Sequence, residues 1–178
     1  MISDWDRLQN AREGGDESWQ QLVSRHHSRL ITMAFLITGS MATAKDIVQE
    51  TFVRLFRRAP KHNGGSLASY LSTIAFRLSL KEKKRGHKNR DIEDVTLMDN
   101  DPGPLEGILK QERDKHLWAI IQSLDENHRC VLVLRFYGGH TYDDIATITN
   151  TPIGTVKSRI FYAVKACRTG LREKGIIE

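Results

Sequence analysis

Apolar residues recur along the chain at helical spacing, and no segment shows the alternation typical of a half-buried strand. The first apolar stripe covers residues 19–37 and stops at Gly39, a residue type that commonly ends helices. A second stripe begins near Thr43, where we expect a helix start, and it is interrupted at Pro60. The core positions that it predicts are Ile47, Val48, Thr51, Phe52, Leu55 and Phe56. A third helix is predicted from Ser66, because apolar residues then recur at intervals of three and four. These patterns predict an N-terminal unit built of helices.

Charge changes sign abruptly after the third stripe. Residues 77–90 hold seven Lys or Arg and a single acid, whereas residues 91–106 hold six acids and neither Lys nor Arg. The acidic stretch includes DNDPGP, a cluster of turn-forming residues, and is predicted to be a flexible linker. Helical periodicity resumes near Leu109, so the sequence predicts an all-α chain of two small domains, residues 10–88 and 113–178, joined by an acidic linker at residues 89–112. Domains this small are near the lower limit for independent stability, which favours docking against each other or a partner.

The segment TYDDIATITNTPIGTVKSR follows a predicted helix at residues 127–137 and has the layout of a helix-turn-helix. Thr141 can cap a first short helix, and Asp144 stands three residues later, as in a capping box. Thr151 can cap the second helix, with Pro152 at its first position. The exposed face of this second helix carries the candidate DNA contacts Thr155, Lys157, Ser158 and Arg159. A helical hairpin within a bundle has the same pattern, so the segment alone leaves DNA binding and simple packing open.

The bulk composition narrows the function classes. A net charge of +5 and a pI near 9.3 weakly favour a polyanionic partner. No apolar run is long enough to span a bilayer and the first residues do not resemble a signal peptide, so we expect a cytoplasmic protein without a membrane partner. Cys130 and Cys167 lie among apolar neighbours and are expected to be buried free thiols. The adjacent His26 and His27 cannot chelate an ion together, and no metal, cofactor or nucleophile motif is found, so we expect no metal, no cofactor and no enzyme.

Two surfaces of the N-terminal unit are candidates for binding. The second helix carries a strip opposite its apolar stripe, formed by Asp46, Gln49, Glu50, Val53 and Arg57. An ordinary solvated helix face explains this strip equally well. In the third helix Tyr70 and Phe76 stand near the basic segment, a combination suited to stacking on unpaired bases. A core position explains Tyr70 at least as well, because it lies in the apolar stripe.

Taken together, these pieces resemble a bacterial sigma factor of the extracytoplasmic function (ECF) group, the smallest members of the sigma-70 family. The resemblance rests on ITGSMATAKDIVQETFVRLFRR, GGSLASYLSTIAFRLSLKEKKR and SLDENHRCVLVLRFYGGHTYDDIATITNTPIGTVKSR, with an acidic linker of suitable length, and it covers residues 18–173. It implies an initiation factor that binds core RNA polymerase at the β′ clamp helices and the β flap. It also implies contacts to double- and single-stranded promoter DNA, with the chemistry left to the polymerase. Anti-sigma factors are common partners in the family.

The resemblance assigns roles to individual residues. The strip formed by Asp46, Gln49, Glu50, Val53 and Arg57 would contact core polymerase. Contacts to the −10 element are implied for His62, Asn63, Gly64, Tyr70, Arg77, Lys81, Lys84 and Arg85. Contacts to the −35 element are implied for Thr141, Thr155, Lys157, Ser158, Arg159, Phe161 and Tyr162.

Two departures from the family pattern bear on these roles. Where the family usually has Asp-Ala-Glu-Asp, this chain has Thr-Ala-Lys-Asp, so two acids are missing from the polymerase contact. Phosphorylation of Thr43, or of Ser40 or Thr51, by a Ser/Thr kinase is one hypothesis for restoring negative charge, and compensation elsewhere on the surface is the other. In the third helix Arg77 and Lys81 replace the usual Asn and Asp, which favours phosphate contacts or an unusual −10 preference.

Two other classes of protein stay open. An ordinary helix-turn-helix regulator would use its N-terminal domain for dimerisation or effector sensing, but DIVQETF followed by a basic third helix argues against it. A nucleic-acid-processing enzyme would need a catalytic constellation that the sequence lacks. Co-purification with core polymerase separates a sigma factor from the regulator, and metal-dependent DNA cleavage would reveal the enzyme.

Overall fold

The structure, a computed structural model, describes residues 2–58, 65–90 and 112–177. Within these ranges the chain forms eight α-helices and no strand, which confirms the all-α prediction. The N-terminal unit contains α1 (Asp4–Arg12), α2 (Asp16–Thr38), α3 (Met41–Arg57) and α4 (Leu67–Arg90). The C-terminal unit contains α5 (Glu112–Ser123), α6 (Glu126–Phe136), α7 (Tyr142–Thr149) and α8 (Ile153–Glu173). Most of the predicted linker, residues 91–111, lies outside the described ranges.

The apolar pattern does not predict α1, because this short helix buries only two apolar side chains. Ser3 caps it in a capping box with the third residue of the helix. Asp4 then ties α1 to α2: its carboxylate accepts from Nη1 of Arg25 at 3.0 Å and lies 2.9 Å from Nε2 of His26. The folded N-terminal unit therefore begins ahead of residue 10.

Helix α2 is the centre of the N-terminal core, because it packs against α1, α3 and α4. It ends as predicted at Gly39, which adopts a left-handed conformation with φ of 76°. Helix α3 begins two residues before Thr43, because the Ser40 hydroxyl caps it by accepting from the Thr43 N–H. The apolar stripe places Phe56 in the core, and this is wrong: its side chain is 47% exposed, with its ring edge-on to Trp19 at a centroid distance of 5.3 Å.

The C-terminal core forms where α8 packs against α5, α6 and α7. Helix α6 contributes a run of five consecutive buried residues, 130–134. Cys130 and Cys167 are buried free thiols, as predicted, and burial raises the pKa of Cys130 to about 12. Gly170 lets α8 approach α5 closely, because a Cβ at this position would lie 2.9 Å from Cγ1 of Ile120.

The two units dock against each other, mainly where α2 meets α5 and α6. The rings of Phe35 and Trp118 stack across this interface, with centroids 5.6 Å apart and an interplanar angle of 7°. Beside them, Nε2 of Gln122 donates to the carbonyl oxygen of Leu36 at 2.8 Å. The docking matches what the small size of each unit predicts, since shared burial adds to each small core.

Candidate nucleic-acid and protein interfaces

The strip predicted on α3 lies on the surface of the N-terminal unit. Its exposed members are Asp46, Gln49, Glu50 and Arg57, and the half-buried Val53 completes it. Helical spacing places all five on one side of α3, away from the side chains that the helix buries. Oε1 of Glu50 accepts from Nε of Arg54 at 2.6 Å, so its charge is partly neutralised within its own helix.

An open groove of about 900 Å³ runs beside this strip, between α1, α2 and α3. Trp19 and Phe56 supply part of its apolar lining, and the cationic Lys45 and Arg57 lie along it as well. The sequence does not predict the groove, because three helices form it together. Val53 within the strip and Phe56 next to it are apolar, and they are the sequence signal that could have pointed to the groove.

The three candidate phosphorylation sites lie in different surroundings. Ser40 and Thr43 are half-buried at the start of α3, where Oγ1 of Thr43 donates to Oγ of Ser40 at 3.1 Å. Thr51 is 0% exposed and donates its hydroxyl to the carbonyl oxygen of Ile47 at 2.7 Å. A kinase cannot reach a hydroxyl enclosed by the core, so the prediction for Thr51 is wrong. Ser40 and Thr43 stay predictions, and a phosphate there would be favoured by the positive end of the α3 dipole.

Helix α4 presents a cationic face to solvent. The exposed side chains on it are Arg77, Lys81, Lys84 and Arg85, and the half-buried Tyr70 lies towards its N-terminal end. Positions 70, 77, 81 and 84 are separated by seven, four and three residues, so they share one side of the helix. Phe76 is 1% exposed and belongs to the core, which excludes it as a stacking ring. The predicted contacts His62, Asn63 and Gly64 lie outside the described residues.

Trp5 joins α1 to the start of α4, a contact that the sequence does not predict. Its Nε1 donates to the carbonyl oxygen of Gly65 at 2.9 Å. Its ring centroid lies 6.4 Å from that of Tyr70, with an interplanar angle of 50°. Because these partners are far apart in sequence, no local pattern could have indicated the contact.

The helix-turn-helix forms with one change from the predicted capping. Thr141 and Asp144 make the predicted capping box, and the hydrogen bonds from Thr141 lower the pKa of the Asp144 carboxyl group. Asn150 ends α7 in the left-handed conformation with φ of 50°. The prediction that Thr151 caps the second helix is wrong: Pro152 occupies the cap position, and the Thr151 hydroxyl instead donates to the carbonyl oxygen of Thr149.

Helix α8 exposes most of the predicted −35 contacts. Lys157, Ser158, Phe161 and Tyr162 are exposed, as is Thr141 at the start of α7, while Thr155 and Arg159 are half-buried. Nη1 of Arg159 lies 3.5 Å from Oγ1 of Thr151, so its guanidinium group turns partly towards the inter-helix turn. Phe161 and Tyr162 are 63% and 57% exposed, and their rings meet edge to face with centroids 5.4 Å apart.

Among the described residues, no group of three or more His, Cys, Asp or Glu side chains could hold a metal ion. Within the same ranges, no helix has both the length and the apolar character needed to cross a membrane. The features that the described surfaces do carry are cations, aromatic rings and hydrogen-bonding side chains.

Two docked helical units, the second with an exposed helix-turn-helix, define a two-domain transcription factor. The family model of Sigma-70 region 2 matches residues 22–89, and the model of Sigma-70, region 4 matches residues 115–167. The chain belongs to the ECF group of the sigma-70 family. It is therefore a transcription initiation factor that directs RNA polymerase to promoters.

Two related sigma factors agree with this assignment. The chain is 30% identical over 149 residues to the ECF RNA polymerase sigma factor SigE of Mycolicibacterium smegmatis, a match that spans 80% of this chain and 57% of that longer protein. It is 28% identical over 180 residues to the RNA polymerase sigma-H factor of Pseudomonas aeruginosa, spanning 93% of this chain and 92% of the relative.

Two solved structures share the fold. The sigma factor RpoE in complex with the anti-sigma factor NepR from Bartonella quintana aligns with a TM-score of 0.64 and 23% identity, covering 88% of this chain and 98% of that one. CnrH in complex with the cytosolic domain of CnrY aligns with a TM-score of 0.65 and 18% identity, covering 96% and 97%.

Proposed function

We propose that this sigma factor binds core RNA polymerase through the α3 strip and reads promoter DNA with α4 and α8. The observation that supports this best is the placement of two exposed cationic faces in two separate folded units. Each unit matches a different region of the sigma-70 family. The factor itself performs no chemistry in this scheme, because the polymerase supplies the active site.

The polymerase contact would combine charge and apolar burial. Asp46 and Glu50 offer carboxylates to the basic β′ clamp helices that the family resemblance implies. The Glu50 carboxylate also accepts a hydrogen bond from Arg54, which reduces its net charge at the surface. The neighbouring groove with Trp19 and Phe56 adds apolar surface that a partner helix could cover. This surface is a means of compensating for the acids missing at the start of α3. The β flap would be contacted by the C-terminal unit.

The DNA contacts would divide between positioning and base reading. Lys157 and Ser158 can reach base edges or phosphates in the major groove of the −35 element. The cationic face of α4 can follow the backbone of the separated −10 strand. Strand separation costs about 1.4 kcal/mol per stacked step, and stacking on a protein ring returns about 1–3 kcal/mol per base.

We also propose that this chain has regulatory partners. The solved neighbours are RpoE bound to the anti-sigma factor NepR, and CnrH bound to the cytosolic domain of CnrY. An anti-sigma factor is accordingly proposed as a partner of this chain too, in the cytoplasm, where the polymerase works. A Ser/Thr kinase acting at Thr43 or Ser40 stays a prediction from the sequence.

A charge reversal on the strip tests the polymerase contact. Glu50→Lys should lower the affinity for core polymerase by at least about tenfold, because a like charge would face a basic partner surface. Arg54→Ala is the matched variant, since it removes the intrahelical partner and leaves the Glu50 carboxylate in place. It should bind core polymerase as tightly as the parent or more tightly, and cost about 0.3–0.5 kcal/mol of helix stability.

The measurement is co-purification and titration of core polymerase with each variant, followed by run-off transcription from a promoter library. Far-UV circular dichroism and thermal melting check that the variants fold. Unchanged polymerase binding by Glu50→Lys would refute the role of the strip. A chain that binds duplex DNA alone and never associates with core polymerase would instead favour an ordinary helix-turn-helix regulator.

A further inference from the structure

We propose that docking of the two units is an autoinhibitory contact, which must open before the chain can read both promoter elements at once. The interface brings α2 and α4 of the N-terminal unit against α5, α6 and the turn after α6. The inference rests on the proposed function, because it concerns the same DNA-binding faces on α4 and α8.

Paired polar groups give the interface one defined arrangement. Nε of Arg29 on α2 donates to the carbonyl oxygen of Tyr137 at the C-terminal end of α6, where a cation also complements the helix dipole. The Arg29 guanidinium group packs against Gly139, which has no side chain to block it. Ser72 and His140 are 3% and 1% exposed and bond to each other across the interface. A shifted arrangement would leave this buried pair without partners, so it is disfavoured.

The docked arrangement holds the two DNA-binding faces close together. Nζ of Lys83, two residues beyond Lys81 on α4, lies 3.2 Å from Oε2 of Glu126 on α6. Two residues further along α6, the ring of His128 has its centroid 6.5 Å from that of Tyr162 on α8. Because each of these side chains reaches about 7 Å or less from its Cα, the Cα atoms of Lys81 and Tyr162 are at most about 45 Å apart.

Promoter DNA requires a wider spacing of the two faces. The −35 and −10 elements are named by their positions, so their centres lie about 25 base pairs apart, or roughly 85 Å at 3.4 Å per base pair. Duplex DNA of this length is stiff, because its persistence length is about 150 base pairs. The docked chain can therefore place one face on its element but not both. Residues 91–111 can span about 70 Å when extended, so the covalent connection permits the separation that docking prevents.

Core polymerase is the partner that can open the interface. In the proposed function it binds the two units at separate sites, the β′ clamp helices and the β flap. A partner that binds the open form better than the docked form shifts the equilibrium by that difference in affinity. Until then, the apparent affinity for a two-element promoter is reduced to the fraction of chains that are open. Docking therefore makes promoter reading depend on polymerase binding.

A reversible cross-link across the interface tests the inference. In the full-length chain, Lys83→Cys and Glu126→Cys are joined by a bis-maleimide linker that contains a disulfide; both native cysteines are buried. Run-off transcription is measured with core polymerase, on a promoter that the parent holoenzyme selects from a library. The cross-linked chain should lose about 100-fold or more, as expected when geometry forbids two sites from binding together, and dithiothreitol should restore transcription. Glu17→Cys with Gln21→Cys is the matched control, because its cross-link lies within α2 and leaves the units free to separate.

A charge reversal that weakens docking supplies the second measurement. Glu126→Lys places a cation opposite Lys83, so it should raise the affinity for core polymerase by roughly two- to fivefold, the range for one exposed ion pair. Exchanging both charges, Lys83→Glu with Glu126→Lys, should return the affinity to that of the parent. Thermal melting checks that each variant folds.

The outcomes separate the inference from the proposed function. If the cross-linked chain transcribes as well as its reduced form, the autoinhibitory contact is refuted and the sigma-factor function stands. If the reduced chain, the control pair and the parent all fail to bind core polymerase, the proposed function fails and the inference fails with it.

Discussion

The interface between the two units should weaken below neutral pH, because it encloses a neutral histidine. His140, in the turn between α6 and α7, is 1% exposed, and its Nε2 lies 2.7 Å from Oγ of Ser72 on α4. Burial lowers its pKa below the ordinary 6.5; the Asp144 carboxylate opposes this shift and the Arg29 guanidinium group adds to it. Its Nδ1 has no hydrogen-bond partner, so a proton added there would be buried without an acceptor.

The direction in which stability changes with pH follows from proton linkage. A lowered pKa in the folded, docked protein means that the unfolded chain binds the proton at a higher pH. The contribution of His140 is therefore fully present above pH 6.5 and is lost as the pH falls below that value. For one proton the limiting slope is about 1.4 kcal/mol per pH unit, which is large against a typical stability of about 5–15 kcal/mol.

The assay is urea unfolding by far-UV circular dichroism between pH 7.5 and pH 5, with small-angle X-ray scattering to follow separation of the units. His140→Gln is the control, because its amide can still bond to Ser72 but does not titrate. The parent should lose stability more steeply than His140→Gln on acidification, and other histidines cancel in the difference. If the free energy of unfolding of both proteins falls equally steeply with pH, His140 does not carry the pH dependence and the prediction is refuted.

Two further predictions concern α3 and α8. Thr51→Asp should lower the free energy of unfolding by about 3 kcal/mol or more, because it buries an unpaired carboxylate. Thr43→Asp, at the start of α3, should fold normally. Similar melting curves for both variants would contradict the buried position of Thr51. If phosphorylation at Thr43 restores the polymerase contact, Thr43→Asp should also bind core polymerase more tightly, and no gain would remove that hypothesis. Lys157→Ala should weaken promoter binding by about 1–3 kcal/mol if Lys157 contacts a base. The loss should exceed that of Arg159→Ala, because Arg159 is half-buried and its guanidinium group lies near Thr151. Equal DNA affinities of the parent and Lys157→Ala would exclude the contact.

The helices that the sequence predicts well are those whose signals are local. The apolar stripe of α2 and its end at Gly39 could be predicted from the sequence, because helical spacing and a left-handed glycine need no distant partner. The capping box at Thr141 belongs to the same class, since its donors and acceptors lie within one turn. The apolar pattern did not predict helix α1, because a nine-residue helix with two buried side chains shows too little periodicity to be recognised.

Predictions about the candidate sites depended on which side of a helix meets the core. Thr51 and Phe56 show the difficulty: the apolar stripe places both in the core. Thr51 is buried there, which excludes the phosphorylation also predicted for it, whereas the Phe56 ring is 47% exposed. Helical spacing orients residues relative to one another, but the neighbouring helices decide how wide the buried sector is. Arg159 is a third case, because its guanidinium group turns towards Thr151 rather than fully to solvent.

The sequence by itself determined the helical character, the division into two units, the family and the row of cations on α4, because each depends on residues close together in the chain. Only the tertiary structure decided that the units dock, that His140 is enclosed between them and that Trp5 meets Tyr70. These contacts join residues more than 60 positions apart, where neither periodicity nor capping carries information, and their existence depends on how whole helices pack.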